Sequence, residues 1–117
     1  MKNSQSSMQN AGKFEPQVVL SALQETGREF NTVFEQDNLL VEIYRPQDTD
    51  KQLPHDRDEL YIIISGTGTF QLLQQSTEFK PGDLFFVPAY QEHRFTSFTN
   101  DFATWVIFTG PVKAKPK

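Results

Sequence analysis

Every apolar segment of this chain is short, and most of them are followed by a residue that favours a turn. Between Phe30 and Thr109 about eight stretches are rich in β-branched and aromatic side chains, with Gly, Pro, Asn or Asp between most of them. Short segments punctuated in this way are typical of antiparallel strands. The pattern predicts an all-β fold, a barrel or jelly roll, and the 11 phenylalanines predict a core that is rich in aromatic side chains.

The two ends of the chain differ from this middle part. Residues 1–15 are mostly Ser, Gln, Asn and Lys, and we predict that they form a disordered arm. Pro16 and Gly27 bracket a short apolar stripe, which predicts one short helix near Val18 to Thr26. Residues 16–110 then form a single domain, and residues 111–117, with three lysines, are expected to be a flexible tail.

Composition excludes several classes of protein. There is no cysteine, which excludes disulfides, zinc-thiolate sites and thiol nucleophiles. The formal net charge is −4 and the 11 basic residues are scattered, which argues against a nucleic-acid partner. The longest fully apolar run, Leu60–Ile64, is too short to span a bilayer, and the polar N-terminus lacks the apolar region of a signal peptide. We therefore expect a cytoplasmic protein with no membrane partner.

Both histidines stand beside predicted strands. His55 and Glu59 come just before an Ile-rich stretch, and His93 follows the apolar stretch Leu84–Val87. On a continuous strand the Cα atoms of His55 and Glu59 would be ~13 Å apart, which is too far for the two side chains to share a metal. The turn-forming residues 56–58 can supply a bend that brings them together.

Two glycines and a proline complete this pattern. Gly66 follows Glu59 after six intervening residues, and Pro88 follows Gly82 after five. Together with the two histidines, these spacings resemble the paired motifs of the cupin superfamily over about residues 39–110. The chain is similar to a single-domain cupin, a monocupin of the cupin_2 or RmlC-like kind. The resemblance implies an antiparallel double-stranded β-helix, or jelly-roll barrel.

The resemblance also implies a metal site. His55, Glu59 and His93 match the ligand positions, and two imidazoles with one carboxylate suit divalent Fe, Mn, Ni or Zn. Leu53 stands where the motif has its first histidine, and a histidine there would add a ligand if position 53 faces inward. A second register takes His55 as the first histidine and Arg57 as the second. Each residue also has a purely structural interpretation, such as a salt bridge between Glu59 and Arg57.

Four further residues are candidates for contact with a substrate. Tyr61 lies two residues after Glu59 and therefore on the same strand face, where its hydroxyl is either a catalytic group or a satisfied core group. Arg57 either binds a substrate carboxylate through its planar fork or is a solvated surface charge.

The other two candidates are aromatic residues of the pocket. Phe95, together with Ser97, shares the strand face of His93, so Phe95 is expected to line the pocket. The strand that carries Trp105 is apolar on both faces, so alternation cannot place this residue, and we consider it a possible wall residue.

Two functions remain open. The first is a metal-dependent enzyme, such as a dioxygenase or isomerase, that acts on a polar small molecule in the barrel. The second is a non-catalytic module that binds a small molecule with no metal or with weakly bound metal. In either case we expect a homodimer, because the resemblance implies pairing and an open barrel has edge strands that need cover, for which the N-terminal segment is a candidate.

Overall fold

The computed structural model describes residues 11–117. One helix precedes eight strands, and the elements are α1 (Pro16–Thr26), β1 (Phe30–Gln36), β2 (Leu39–Tyr44), β3 (Asp58–Ser65), β4 (Gly68–Leu72), β5 (Gln75–Phe79), β6 (Leu84–Val87), β7 (His93–Phe98) and β8 (Ala103–Thr109). The predicted short helix and the predicted succession of short strands are both confirmed.

The strands form two antiparallel sheets. The larger has the order β1-β2-β8-β3-β6 and the smaller has the order β5-β4-β7. The sheets are not closed into a barrel, because no ladder between described strands joins one sheet to the other. The jelly-roll prediction is therefore confirmed, with open edges at β1, β6, β5 and β7 where the sequence predicted a barrel.

Aromatic side chains fill the space between the two sheets. Tyr61 comes from the larger sheet, Phe70 and Phe95 come from the smaller one, and each is at most 1% exposed. The ring centroid of Phe95 lies 4.6 Å from that of Phe70 and 5.0 Å from that of Tyr61. The rings of Phe95 and Tyr61 meet edge to face. Such pairs add to the stabilisation that comes from burial alone. The predicted aromatic-rich core is confirmed.

Helix α1 begins and ends where its sequence directs. Pro16 occupies the first turn, where its missing N–H costs no hydrogen bond, and Gly27 ends the helix in the left-handed region with φ of 71°. Its single buried residue is Leu23, which is 2% exposed. Just before the helix, Phe14 stacks on Phe34 of β1 with centroids 5.2 Å apart. Residues 1–10 of the predicted disordered arm lie outside the described residues. In the rest of the arm, Phe14 contacts the larger sheet.

The turn between β4 and β5 consists of two residues in the left-handed region, Leu73 (φ 53°) and Gln74 (φ 64°), and β5 begins at Gln75. Two consecutive residues with positive φ are what a two-residue hairpin requires. Neither residue is Gly or Asn, so the sequence carried no signal for this position.

Gly66 shows why one of the motif glycines is a glycine. Its φ is 86°, and a Cβ built there would lie 2.6 Å from the Cα of Phe102. The position therefore needs both a left-handed backbone and the absence of a side chain. This close approach is where β3 ends against the turn that leads into β8.

The first residues of the C-terminal tail contact the body of the protein. The backbone N–H of Lys113 donates to the carbonyl oxygen of Asp56, and its Nζ lies 2.8 Å from Oδ2 of Asp58. The hydroxyl of Tyr90 donates to the carbonyl oxygen of Lys113. The tail that we expected to be flexible from residue 111 is therefore bonded, as far as Lys113, to the loop that precedes β3.

No helix within residues 11–117 combines the length and the apolar character that crossing a membrane requires.

Candidate metal centre

The structure brings His55, Glu59 and His93 together between the two sheets. His55 lies in the loop before β3, Glu59 in β3 and His93 at the start of β7. One ligand-type atom from each residue lies within 4.8 Å of the others. The side chains of Glu59 and His93 are each 1% exposed, whereas that of His55 is 33% exposed. His55 is thus the side of the group that faces solvent.

The bend between His55 and Glu59 lies where the sequence predicted it. Residues 56 and 57 form the bend and β3 begins at Asp58, so that Nδ1 of His55 lies 3.1 Å from Oε1 of Glu59. Two contacts hold this loop in place. The backbone N–H of Tyr90 donates to the carbonyl oxygen of His55, and Asp58 accepts from Lys113.

A backbone carbonyl fixes the tautomer of His93. Its Nδ1 lies 2.9 Å from the carbonyl oxygen of Gln91. Because a carbonyl can only accept, Nδ1 carries the proton, and the neutral ring presents a lone pair at Nε2. That Nε2 lies 3.4 Å from Oε1 of Glu59. Within the described residues neither Nε2 of His93 nor Oε2 of Glu59 has a hydrogen-bond partner, although both are buried.

This arrangement suits a cation. A buried carboxylate oxygen and an imidazole lone pair side by side have no favourable interaction with each other, and unpaired buried polar atoms are costly. Ligand atoms about 2.1 Å from one metal ion are about 3 Å apart when they are neighbours. The separations of 3.1 and 3.4 Å are close to this value. The two histidines and the glutamate could therefore hold a metal ion.

The carboxylate of Glu59 dominates the local electrostatics. Burial lowers the pKa of His55. The hydrogen bond to Glu59 and the negative charge of Glu59 raise it, and together with smaller contributions they outweigh burial, so the net shift is upward. Burial and the negative charge of Glu59 raise the pKa of Tyr61 well above its usual range, so its hydroxyl stays protonated. Both pKa shifts include a contribution from the negative charge of Glu59, which favours a positive charge beside this carboxylate.

A second buried carboxylate, which the sequence did not reveal, is linked to the site through Gln52 and Tyr61. Asp50 is 2% exposed. Its oxygens accept from the hydroxyl of Tyr44, the backbone N–H of Phe95, and both the backbone N–H and the side-chain amide of Gln52. Gln52 in turn accepts from the hydroxyl of Tyr61 at 2.8 Å. Nothing distinguishes this Asp from other loop aspartates in the sequence, because its partners are distant along the chain.

A cavity of about 460 Å³ lies beside the site. Aromatic and aliphatic side chains form most of its wall, with polar groups from β2 and from the loop before β3: Phe30, Leu40, Glu42, Tyr44, Gln52, His55, Asp56, Arg57, Val106, Phe108 and Val112. His55 is the member of the candidate metal centre that reaches this cavity. Its ring also packs edge-on against Phe108, with centroids 4.7 Å apart.

The structure separates the two interpretations of Arg57. The side chain lines the cavity, and its Nε donates to the carbonyl oxygen of Gly110 at 3.1 Å. It forms no salt bridge with Glu59 or with any other carboxylate of the described residues. Arg57 is thus a cavity residue. Glu42 is a further cavity residue that sequence reasoning missed, although its position between Leu40 and Tyr44 places it on the inward face of β2.

The structure corrects the predicted wall residues. Tyr61 and Phe95 lie in the aromatic core and do not line the cavity. Trp105 pairs with Ile43 and Ile62 and lies on the outer face of the larger sheet, because its neighbours Thr104 and Val106 occupy the inward positions.

Alternation also fails at Ser97. We expected Ser97 to share the face of His93 and Phe95, but a bulge in the pairing of β4 with β7 leaves Thr96 without a partner and shifts the alternation. Ser97 is exposed as a result.

Position 53 does not face the site. The side chain of Leu53 is 74% exposed, so the condition under which a histidine there would add a ligand is not met in this structure. The candidate centre consists of three protein ligands.

Comparison with known proteins agrees with this architecture. Residues 40–109 match the cupin domain family Cupin_2. An uncharacterized protein of Streptomyces coelicolor is 33% identical over 63 residues, which make up 54% of this chain and 60% of that protein. The chain therefore spans less than two thirds of that relative's length.

Solved structures show the same fold. A cupin-2 domain protein of Shewanella frigidimarina has a TM-score of 0.62 at 14% identity, over 88% of this chain and 98% of that one. The DMSP lyase DddQ of Ruegeria pomeroyi has a TM-score of 0.59 at 18% identity, over 74% of this chain and 48% of that one. Because the family match covers more than half of the residues and the topology agrees, this protein belongs to the cupin domain family.

Proposed function

We propose that this protein binds a divalent first-row metal ion through His55, Glu59 and His93, and a polar small molecule in the neighbouring cavity. The observation that carries the proposal is the pair of buried atoms without partners, Nε2 of His93 and Oε2 of Glu59. A metal ion satisfies both of them. The three-ligand set leaves further coordination positions for water or for a ligand.

We infer that the metal makes the protein an enzyme of the dioxygenase or isomerase kind or similar. A divalent ion in this position supplies Lewis-acid chemistry toward an oxygen of the bound molecule or toward water. The chain contributes the alignment. Gln91 holds the ring of His93 through its Nδ1, and His55, which lines the cavity, places a molecule bound there beside the centre.

A non-catalytic binding module is the second candidate function. The hydroxyl of Tyr61, which we considered a catalytic group, donates to Gln52, and Tyr61 does not line the cavity. Leu53 faces solvent, so the centre lacks a fourth protein ligand. Both observations favour a protein that binds a small molecule in the cavity with weakly bound metal or with none.

Metal content tests the proposal. Tag-free protein is stripped with a chelator and titrated with Mn²⁺, Fe²⁺, Ni²⁺ or Zn²⁺, with calorimetry for affinity and elemental analysis for stoichiometry. We expect one ion per chain in the native protein and loss of that ion in His93→Gln, because one imidazole and one carboxylate bind such ions weakly. Glu92→Gln is the matched control, since Glu92 is the exposed neighbour of His93. No bound ion, or equal binding by His93→Gln, would contradict the proposal.

We also propose that the protein is a homodimer that pairs through the outer face of its larger sheet. Uncharged side chains there form two adjacent rows across β8, β3 and β6, in which Leu60 lies between Ile107 and Phe86 and Ile62 lies between Trp105 and Leu84. Phe86 is 53% exposed and Leu84 is 61% exposed. An isologous interface brings the same patch against itself, and an uncharged patch meets no like charge there.

Sedimentation tests the dimer. We expect a species larger than the 13.5 kDa chain at micromolar concentration, and a monomer for Phe86→Glu, which would place a charge in the interface. Leu53→Glu is the control, because Leu53 is also exposed, to 74%, and lies outside the patch. A monomeric native protein would contradict the proposal.

A further inference from the structure

Two side chains of opposite charge line the same cavity without pairing with each other. Glu42 lies on β2, and Arg57 lies in the loop just before β3. Among the described residues neither of them forms a salt bridge. Arg57 uses only its Nε, toward Gly110, which leaves the terminal amino groups of its guanidinium for a ligand. The cavity therefore presents an anion-binding group and a cation-binding group to one bound molecule.

The surroundings of Glu42 favour a cationic partner. Glu42 is half-buried in the cavity wall, and burial is the largest cause that raises its pKa, against the opposing charges of His55 and Arg28. Tyr44 and Phe108 line the same cavity, and so does Phe30, whose ring already has the guanidinium of Arg28 at 4.6 Å from its centroid. Aromatic faces attract cations, and a carboxylate among them adds a direct charge interaction. A ligand cation would compensate Glu42 and contact these rings at the same time.

The surroundings of Arg57 favour a carboxylate. The planar guanidinium presents parallel N–H donors that match the two oxygens of a carboxylate. Of the acidic neighbours of Arg57 in the sequence, Asp58 is bonded to Lys113 and to the backbone N–H of Ala89. Asp56 also lines the cavity, but it is exposed to solvent. The charge of Arg57 is thus available at the cavity.

The distance between the two charges sets the kind of ligand. Strand β8 lies between β2 and β3, which separates these two strands by about 10 Å across the sheet. Glu42 and Tyr61 both pair with Val106, and Arg57 precedes Tyr61 in the chain, so the two charged residues are also offset by roughly 10 Å along the strands. A molecule that reaches both groups needs several atoms between its own charges. The apolar side chains Leu40 and Val106 line the same cavity and suit a short hydrocarbon segment.

We propose that the cavity binds a small zwitterion, with its carboxylate at Arg57, its cationic nitrogen at Glu42 and a short apolar segment between them. This site rests on the proposed function for one point, namely that the cavity beside His55 is where the small molecule binds. The preference for a zwitterion comes from Glu42 and Arg57 in the cavity wall and does not need a metal.

A matched series of probes tests the charge preference. ε-Aminocaproate, caproate, hexylamine and hexanol share a chain of about six carbon atoms and carry, respectively, both charges, the negative charge alone, the positive charge alone and no charge. Each is titrated into the full-length, tag-free protein, both chelator-treated and metal-loaded, and followed by amide chemical shifts. We expect ε-aminocaproate to bind about tenfold or more tightly than any of the other three, because it alone engages both charges. Equal binding of caproate or hexylamine would overturn the proposal.

Substitutions assign the two ends of the ligand. Glu42→Gln should bind ε-aminocaproate no more tightly than caproate, and Arg57→Gln should bind it no more tightly than hexylamine. Arg57→Lys should fall between the native protein and Arg57→Gln, because it keeps the charge and loses the two-pronged geometry. Glu78→Gln, an exposed change on β5, is the matched control and should bind like the native protein. Unchanged affinities in both Glu42→Gln and Arg57→Gln would overturn the assignment.

The metal stoichiometry of the same samples separates this inference from the proposed function. Metal binding without a preference among the four probes would overturn the zwitterion site and leave the metal site standing. A zwitterion preference in a protein that takes up no metal would support the zwitterion site and overturn the metal site.

Discussion

Asp50 and Glu59 are the two buried carboxylates of the described chain, exposed to 2% and 1%, and their surroundings differ completely. Asp50 accepts hydrogen bonds on both oxygens, from a tyrosine hydroxyl, two backbone N–H groups and an amide. Glu59 has one oxygen near two histidines and one with no partner. The two carboxylates are thus equally buried, but Asp50 has the hydrogen bonds of a structural group, whereas Glu59 has an oxygen without a partner among the described residues.

One chain of contacts connects the two carboxylates. Gln52 donates twice to Asp50 and accepts from Tyr61, which lies on the same face of β3 as Glu59. The satisfied carboxylate thereby fixes the loop that ends at His55. This difference between Asp50 and Glu59 leads to four predictions.

The largest effect is expected for Asp50→Ala. It leaves the hydroxyl of Tyr44 and the backbone N–H of Phe95 without their acceptor, and we expect a loss of about 3 kcal/mol in the free energy of unfolding, measured with urea. Glu78→Gln is the exposed control and should change the stability by less than about 0.5 kcal/mol. A loss for Asp50→Ala as small as that of the control would show that this carboxylate is not a structural group.

Metal should stabilise the native protein only through Glu59 and its histidines. At a free metal concentration about a hundredfold above Kd we expect a gain of about 2.7 kcal/mol, seen as a rise in Tm. His93→Gln should show no such rise, whereas Glu92→Gln should respond like the native protein. A rise of equal size in His93→Gln would place the metal elsewhere.

Glu59→Gln should have the opposite sign from Asp50→Ala when no metal is present. The amide removes a buried charge, and its amino group can donate to Nε2 of His93, so we expect the metal-free protein to gain about 1 kcal/mol in stability. Chemical denaturation in the presence of a chelator measures this change. A clear loss of stability would show that Glu59 is a structural carboxylate like Asp50.

The smallest effect is expected for Tyr61→Phe. The substitution removes one hydrogen bond to Gln52, and we expect a loss of about 0.5 to 1 kcal/mol in stability with an unchanged number of metal ions per chain. Urea unfolding and elemental analysis on the same preparation measure both quantities. A lower metal content would make Tyr61 part of the metal centre rather than of the connection to Asp50.

Much of the site could be predicted because its signals are local. The bend after His55 follows from the aspartates beside it, and the shared face of Glu59 and Tyr61 follows from alternation within one strand. Glu42 was missed for a different reason. Its place on the inward face of β2 is also a matter of alternation, but its importance depends on which strands lie across the cavity, and that is not encoded near position 42.

The sequence by itself determined the class of fold, the short helix and the set of residues that could bind a metal. The fold class and the helix follow from side-chain periodicity and turn chemistry, and the set of candidate ligands follows from the resemblance to the cupin motifs. Tertiary structure alone decided that Asp50 is satisfied and Glu59 is not, that Trp105 faces outward, and that Arg57 and Glu42 line one cavity. The physical reason is that hydrogen-bond satisfaction and cavity walls arise from contacts between strands far apart in the chain, which spacing along one strand does not specify.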